Sequence, residues 1–177
     1  FNIMHKYIVA GCFLLFFMSC GNTEQQKVQP QQYFDLKGYF QQEAARLNKT
    51  KPLVLKTVSV NDSTESKKIR IADWNKELAN FSDADINKSA WLGSFKVEKS
   101  GQQEIYSSND DKVLVKKLEI SQKNNKIASI KILLNTSNYL YHSTDTLAYF
   151  PDSLYEIRKT QQIRFLSGKK YRVKGTF

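Results

Sequence analysis

The chain has 177 residues, 27 Lys and Arg against 17 Asp and Glu, and a formal net charge of +10; it suits one domain with a real core rather than two. Its seven Gly cannot supply both phosphate-cradling loops and the turns of a fold, and no nucleophile elbow, phosphate-binding loop or zincin helix occurs. The positive excess calls for an anionic partner.

The first informative stretch is Tyr7–Cys20, YIVAGCFLLFFMSC. His5 and Lys6 precede twelve apolar or small residues, Tyr7 to Met18, a length that suits a signal-peptide core, whereas a spanning helix needs about 20. The closing Phe17-Met18-Ser19-Cys20-Gly21 resembles the lipobox of bacterial lipoproteins: a bulky apolar residue, a small residue directly before the cysteine, and the obligatory Cys. That resemblance implies a diacylglyceryl thioether on Cys20, cleavage before it, and acylation of the new amino terminus. A multiply acylated Cys20 holds a protein on a membrane without a spanning helix. Cys12 would leave with residues 1–19, so neither a disulfide nor a Cys-ligated metal site is expected. The expected place is the outer membrane. Anionic partners there are lipid head groups, lipopolysaccharide phosphates, acidic glycans or another protein, and not nucleic acid.

Residues 20–32 read as the lipidated Cys followed by a flexible tether with one large apolar residue, Val28, able to reach about 40 Å when extended. Some Bacteroidota surface lipoproteins carry an acid-rich export signal after the Cys. Here only Glu24 precedes Lys27, so the expected orientation is periplasm-facing.

Residues 33–177 read as one α+β domain, with two to three N-terminal helices packed on a mostly antiparallel sheet in a meander. Tyr33, Leu36, Phe40, Ala44 and Leu47 form a helical stripe between about Gln31 and Asn48, with Gly38 falling inside it. Leu53 to Val60 predicts a strand that stops at Asn61-Asp62-Ser63. Asp73 is placed to cap a helix carrying Trp74, Leu78 and Phe81; Ser82, with Asp85, is placed to open a second one ending at Gly93. Strands follow at Ser94 to Glu98 and Glu104 to Ser107. In the next hairpin a three-residue loop, Lys123 to Asn125, would pair Leu118 with Ile130 and Ile120 with Ala128, where a plain two-residue turn would mix faces. Asn138 to Thr144, with the lone His142, reads as a polar break. Thr146 to Phe150, Leu154 to Arg158 and Gln161 to Leu166 read as strands, and Gly168 turns the chain into the last one.

That last strand carries the candidate site. Tyr171, Val173 and Phe177 alternate with Lys170, Arg172 and Lys174, giving one apolar and one basic face; Lys170, Arg172 and Lys174 are the candidate anionic-ligand residues. Asp83-Ala84-Asp85-Ile86-Asn87 matches the opening of a calcium loop. The match fails where Gly and the bidentate Glu belong, at Lys88 and Ser94, so the acids are read as helix caps. The pairs Asp73 with Glu77 and Asp110 with Asp111 read as a helix face and a turn. No catalytic residue, metal or cofactor is expected.

Asp62-Ser63-Thr64, Asp145-Thr146-Leu147 and Asp152-Ser153-Leu154 resemble the acceptor of Bacteroidota general O-glycosylation, which implies sugars on Ser63, Thr146 and Ser153 and is expected to place all three in turns or loops. Asp73 to Leu78 and Asp85 to Lys88, with the closing Tyr-x-Val-x-Gly strand, are similar to uncharacterised Bacteroidota outer-membrane lipoproteins, a family without assigned chemistry. The expected function is a non-enzymatic, membrane-anchored lipoprotein that binds a protein partner or an anionic envelope component. The runner-up is a lipid or lipoprotein carrier with an apolar cavity, resembling the LolA and LolB carriers, and the third reading is a hydrolase of envelope glycans.

Overall fold

A computed structural model of the protein describes residues 32–177. The expected signal peptide, Cys20 and nearly all of the expected tether lie outside the described residues. One compact unit spans Gln31–Phe177.

Among the described residues the elements run α1 (Leu36–Thr50), β1 (Leu53–Val60), β2 (Ser63–Arg70), α2 (Trp74–Glu77) and α3 (Ala79–Asp83), then a 3-10 turn at Ser89–Trp91. They continue as β3 (Lys96–Ser100), β4 (Gln103–Ser107), β5 (Val115–Lys123), β6 (Lys126–Ser137), β7 (Tyr141–Phe150), β8 (Leu154–Ile163) and β9 (Lys169–Thr176). The strands form one nine-stranded sheet in the order β2-β1-β9-β8-β7-β6-β5-β4-β3. Its pairs are antiparallel. From β3 to β9 it is a meander, and β9 returns to lie beside β1. No helix among the described residues is long and apolar enough to cross a membrane.

The predicted stripe of α1 is buried from Leu36 to Leu47, but Gly38 lies in its first turn. Asp35 caps that turn, its carboxylate accepting from Gly38 N at 2.8 Å. A Cβ on Gly38 would stand 2.1 Å from Asp35 Oδ2, so the glycine leaves room for the cap carboxylate. Asp73 caps α2 by accepting from Asn75 N and Lys76 N. Trp74, Leu78 and Phe81 are fully buried, as their spacing predicts, yet the helix breaks at Leu78, whose φ is −95° and ψ 8°.

The second predicted helix is corrected. Ser82 lies inside α3, and Asp85 Oδ1 has no hydrogen-bond partner. Asn87 explains the local path. Its side chain accepts from Tyr33 N at 2.9 Å and donates to Phe34 O at 2.9 Å, so it pins the chain entering α1 instead of continuing a helix.

The β5–β6 hairpin is also corrected. Lys123 pairs with Lys126 across a two-residue turn, Asn124-Asn125, with φ values of 52° and 59°. Both central residues of such a turn need positive φ, which Asn tolerates. The register shifts by one between Ser121 and Gln122, so Leu118 faces Ile132 and Ile120 faces Ile130. A β-bulge thus restores the same-face apolar pairing that the turn alone would break. The strand β2, STESKKIR, has a polar and charged sequence and nearly full exposure. It forms one edge, as the charged and exposed β3 forms the other. Charged edges discourage pairing with other chains.

Residues paired across antiparallel strands share a face. The row Ile130, Tyr149, Tyr155, Gly175 and Lys56 meets the helices. Phe40 and Phe81 contact Tyr149 at centroid distances of 5.2 and 6.0 Å, and Trp74 contacts Tyr155 at 6.0 Å. Phe177 stacks on Trp74 at 5.6 Å. Trp74, Tyr149, Tyr155, Phe40 and Phe81 are the largest fully buried side chains among the described residues.

Two carboxylates tie helices to this face. Glu43 of α1 accepts from the Tyr149 hydroxyl at 2.5 Å and pairs with Arg46, which also reaches Asp152 at 2.7 Å. Glu77 of α2 accepts from the Tyr155 hydroxyl at 2.5 Å and pairs with Lys56 of β1 at 2.7 Å. Glu77 is therefore turned into the domain, away from the helix face it was expected to share with Asp73. A third such bond joins Tyr106 to Glu104.

These bonds carry a pH prediction. Tyr106, Tyr149 and Tyr155 are pushed well above the ordinary phenol value of 10.0, by burial first and then by the carboxylate each hydroxyl meets. Groups whose proton is held more tightly in the folded state stabilise it below the unfolded value and lose that contribution as pH rises. Urea unfolding should therefore change little through these tyrosines up to about pH 10 and weaken above it. Tyr149→Phe and Tyr155→Phe together should flatten the alkaline fall; an unchanged fall would contradict the assignment.

Candidate anion-binding face

Because successive strand residues point to opposite sides, the neighbours of the core row face away from the helices. Lys170, Arg172 and Lys174 lie there together. Lys174 is opposite Glu156 of β8 and Thr57 of β1, Arg172 is opposite Arg158 and Ser59, and Lys170 is opposite Thr160. Tyr171, Val173 and Gly175 point the other way.

Register adds residues that inspection of one strand misses. Arg172 donates from Nε to Glu156 Oε1 at 2.6 Å, and Arg158 Nη2 meets Glu156 Oε2 at 2.8 Å. One carboxylate is thus shared by two guanidiniums, and the face is not wholly basic. Lys170 and Lys174 have no carboxylate partner among the described residues. Lys159 faces the other side and pairs with Asp145 at 3.0 Å.

Lys170 and Arg172, but not Lys174, border an open groove of about 320 Å³, lined also by Ser59, Asn61, Thr64, Arg158 and Thr160, with Lys159 and Tyr171 at its edge. Its rim is built in place. Asn61, at φ 51° in the β1–β2 turn, accepts from Lys170 N through its side chain at 2.9 Å and donates its own N–H to Lys170 O at 2.8 Å. Thr64 donates to Ser59 Oγ at 2.9 Å. Guanidinium, ammonium and hydroxyl donors within one groove match the needs of a phosphate or carboxylate.

The other candidate residues do not converge on this groove as a set. Ser63 begins β2 and Ser153 lies in the β7–β8 turn, both exposed. Thr146 does not lie in a loop. It sits in the middle of β7, exposed, and is paired with Leu133 on one side and Arg158 on the other. His142 is not in a loop either. β6 runs on to Ser137 and β7 starts at Tyr141, so His142 is an exposed strand residue opposite Gln162. The oxygens of Asp83, Asp85 and Asn87 do not share one centre, since Asn87 is engaged with Tyr33 and Phe34. Among the described residues no group of three or more His, Cys, Asp or Glu is arranged to hold a metal ion.

Compared with protein-family models, curated proteins and solved structures, the chain matches none.

Proposed function

We propose that this chain is a non-enzymatic lipoprotein, anchored to the outer membrane through acylated Cys20 and facing the periplasm, whose outer sheet face binds an anionic component of the envelope. The observation that carries the reading is that Arg158, Lys170, Arg172 and Lys174 share one sheet face, on which Glu156 pairs with Arg158 and Arg172 and leaves Lys170 and Lys174 without a carboxylate partner among the described residues. Charge left over after that carboxylate is shared favours a further anion, and paired Arg groups suit planar or tetrahedral oxyanions. The open groove is sized for one head group, such as a lipid or lipopolysaccharide phosphate, more than for a broad protein surface.

The carrier reading draws less support. Its best feature is a groove of about 400 Å³ along β1 and β2, but Lys56, Glu65 and Lys67 line it beside Val58 and Ile69, a poor wall for an acyl chain. The space between helices and sheet is occupied by Phe40, Phe81, Trp74 and Tyr155. For a hydrolase, the inward carboxylates Glu43 and Glu77 are each already bound to a cation and a tyrosine.

Titration of isotope-labelled protein with inorganic phosphate, followed by NMR, tests the groove. The backbone amides of Asn61, Lys170 and Arg172 and the Nε of Arg158 should shift together and saturate. Shifts spread evenly over exposed lysines, or none, would contradict the reading.

A further inference from the structure

Two turns at one end of the sheet, residues 138–140 between β6 and β7 and residues 164–168 between β8 and β9, expose an apolar cluster. Tyr139 is 79%, Leu140 56%, Phe165 89% and Leu166 65% exposed. Together such side chains present on the order of several hundred Å² of largely apolar surface, an amount that marks an interaction site on a soluble domain.

The cluster is held outward by its own bonds. Arg164 N donates to Leu140 O at 2.9 Å, joining the two turns. Asn138 Oδ1 accepts from Leu140 N at 3.0 Å and Tyr141 N at 2.9 Å, and Leu166 N donates to Ile163 O at 3.0 Å. Phe165 has φ 68°, a costly conformation for a bulky residue, and it points the ring into solvent.

The two segments that form the tip carry only positive charge. The Arg164 guanidinium lies 4.5 Å from the Tyr139 ring centroid and 5.1 Å from that of Phe165. Lys169 and Lys170 open β9 directly behind, and residues 137–142 and 161–171 contain no Asp or Glu. Apolar and aromatic side chains in front of the cations of these two segments match the layering of an anionic bilayer, acyl chains inside and phosphates outside; the adjoining β1–β2 turn, bonded to Lys170 through Asn61, carries one acid, Asp62.

We propose that this end of the sheet is a bilayer-contact tip, in which Tyr139, Leu140, Phe165 and Leu166 enter the head-group and acyl boundary of anionic phospholipid while Arg164, Lys169 and Lys170 lie among the phosphates. Apolar faces of this kind penetrate about 5–10 Å. The tip goes beyond the groove and does not depend on acylation of Cys20. It fixes which end of the domain meets a membrane.

The test uses the full chain reconstituted in vesicles of phosphatidylglycerol and phosphatidylcholine with brominated acyl chains. Leu166→Trp reports the tip, and Ser153→Trp, at the opposite end of the sheet, is the control; the native Trp74 and Trp91 are buried. The bromines should quench the added tip tryptophan at least about twofold and leave the control unchanged. No quenching at position 166, as when a protein partner covers the tip instead, or equal quenching at position 153, would overturn the proposal. Both variants keep Lys170, Arg172 and Lys174, so this outcome and the phosphate titration of the groove can fail separately.

Discussion

Gly175→Ala should destabilise the domain by about 2–3 kcal/mol, the upper part of the range for overpacking a filled core. An added Cβ would stand 2.1 Å from Cε1 and 2.3 Å from Cζ of Tyr155, far inside contact distance. The ring has no easy retreat. Tyr155 is fully buried, lies edge-on to Trp74 and Phe177, and donates its hydroxyl to Glu77 at 2.5 Å. Moving it would also disturb the Lys56–Glu77 pair that joins β1 to α2. The cause can be separated from a general loss of stability by a double-mutant cycle. Tyr155→Ala removes the obstacle at its own cavity cost of about 3–5 kcal/mol, and adding Gly175→Ala to it should then cost little. Additive losses in urea unfolding would show that the Tyr155 ring is not what Gly175 accommodates.

Replacing Lys170, Arg172 and Lys174 together with Glu should lower affinity for the anionic ligand by at least about 100-fold. Charge-assisted hydrogen bonds contribute about 1.5–3 kcal/mol each, and the reversal adds repulsion beside Glu156. Position must matter more than total charge. A control with Lys67, Lys96 and Lys126 changed to Glu carries the same change in net charge on residues of β2, β3 and the start of β6. That control should bind within a few-fold of the parent, whereas equal losses in the two triples would mean that only the overall field attracts the ligand.

The sequence and the structure agree where one face of an element is apolar. The α1 stripe and β1 are legible because burial imposes a period on Leu36, Phe40, Ala44 and Leu47 and turn residues end the strand at Asn61. β2 is not legible, because an edge strand with both faces near water needs no apolar alternation. The β5–β6 hairpin shows a different limit. Same-face pairing of Leu118 and Ile120 is correctly demanded by their pattern, but either a longer loop or a two-residue turn with a bulge can satisfy it, and this hairpin takes the two-residue turn with a bulge. The second helix was expected from Ser82 and Asp85, while the local path follows the long-range bonds of Asn87 to Tyr33 and Phe34.

The candidate face follows the same logic. Alternation alone brings Lys170, Arg172 and Lys174 to one side of β9. Arg158 and Glu156 join them only through the register set by the β8–β9 turn, and Ser59, Thr64 and Asn61 join through the non-local pairing of β9 with β1. Thr146 shows the converse. Its three-residue acceptor pattern reads as a loop site, but the residue is held in a ladder between β6 and β8.

The most direct test of the central claim is native mass spectrometry of the full-length protein, gently extracted from its own membrane through a C-terminal tag. The account predicts a single chain carrying a non-covalent anionic envelope component, phosphate-bearing and lost from the Lys170, Arg172 and Lys174 triple variant. A bare chain, or a stoichiometric protein partner in place of that mass, would contradict it.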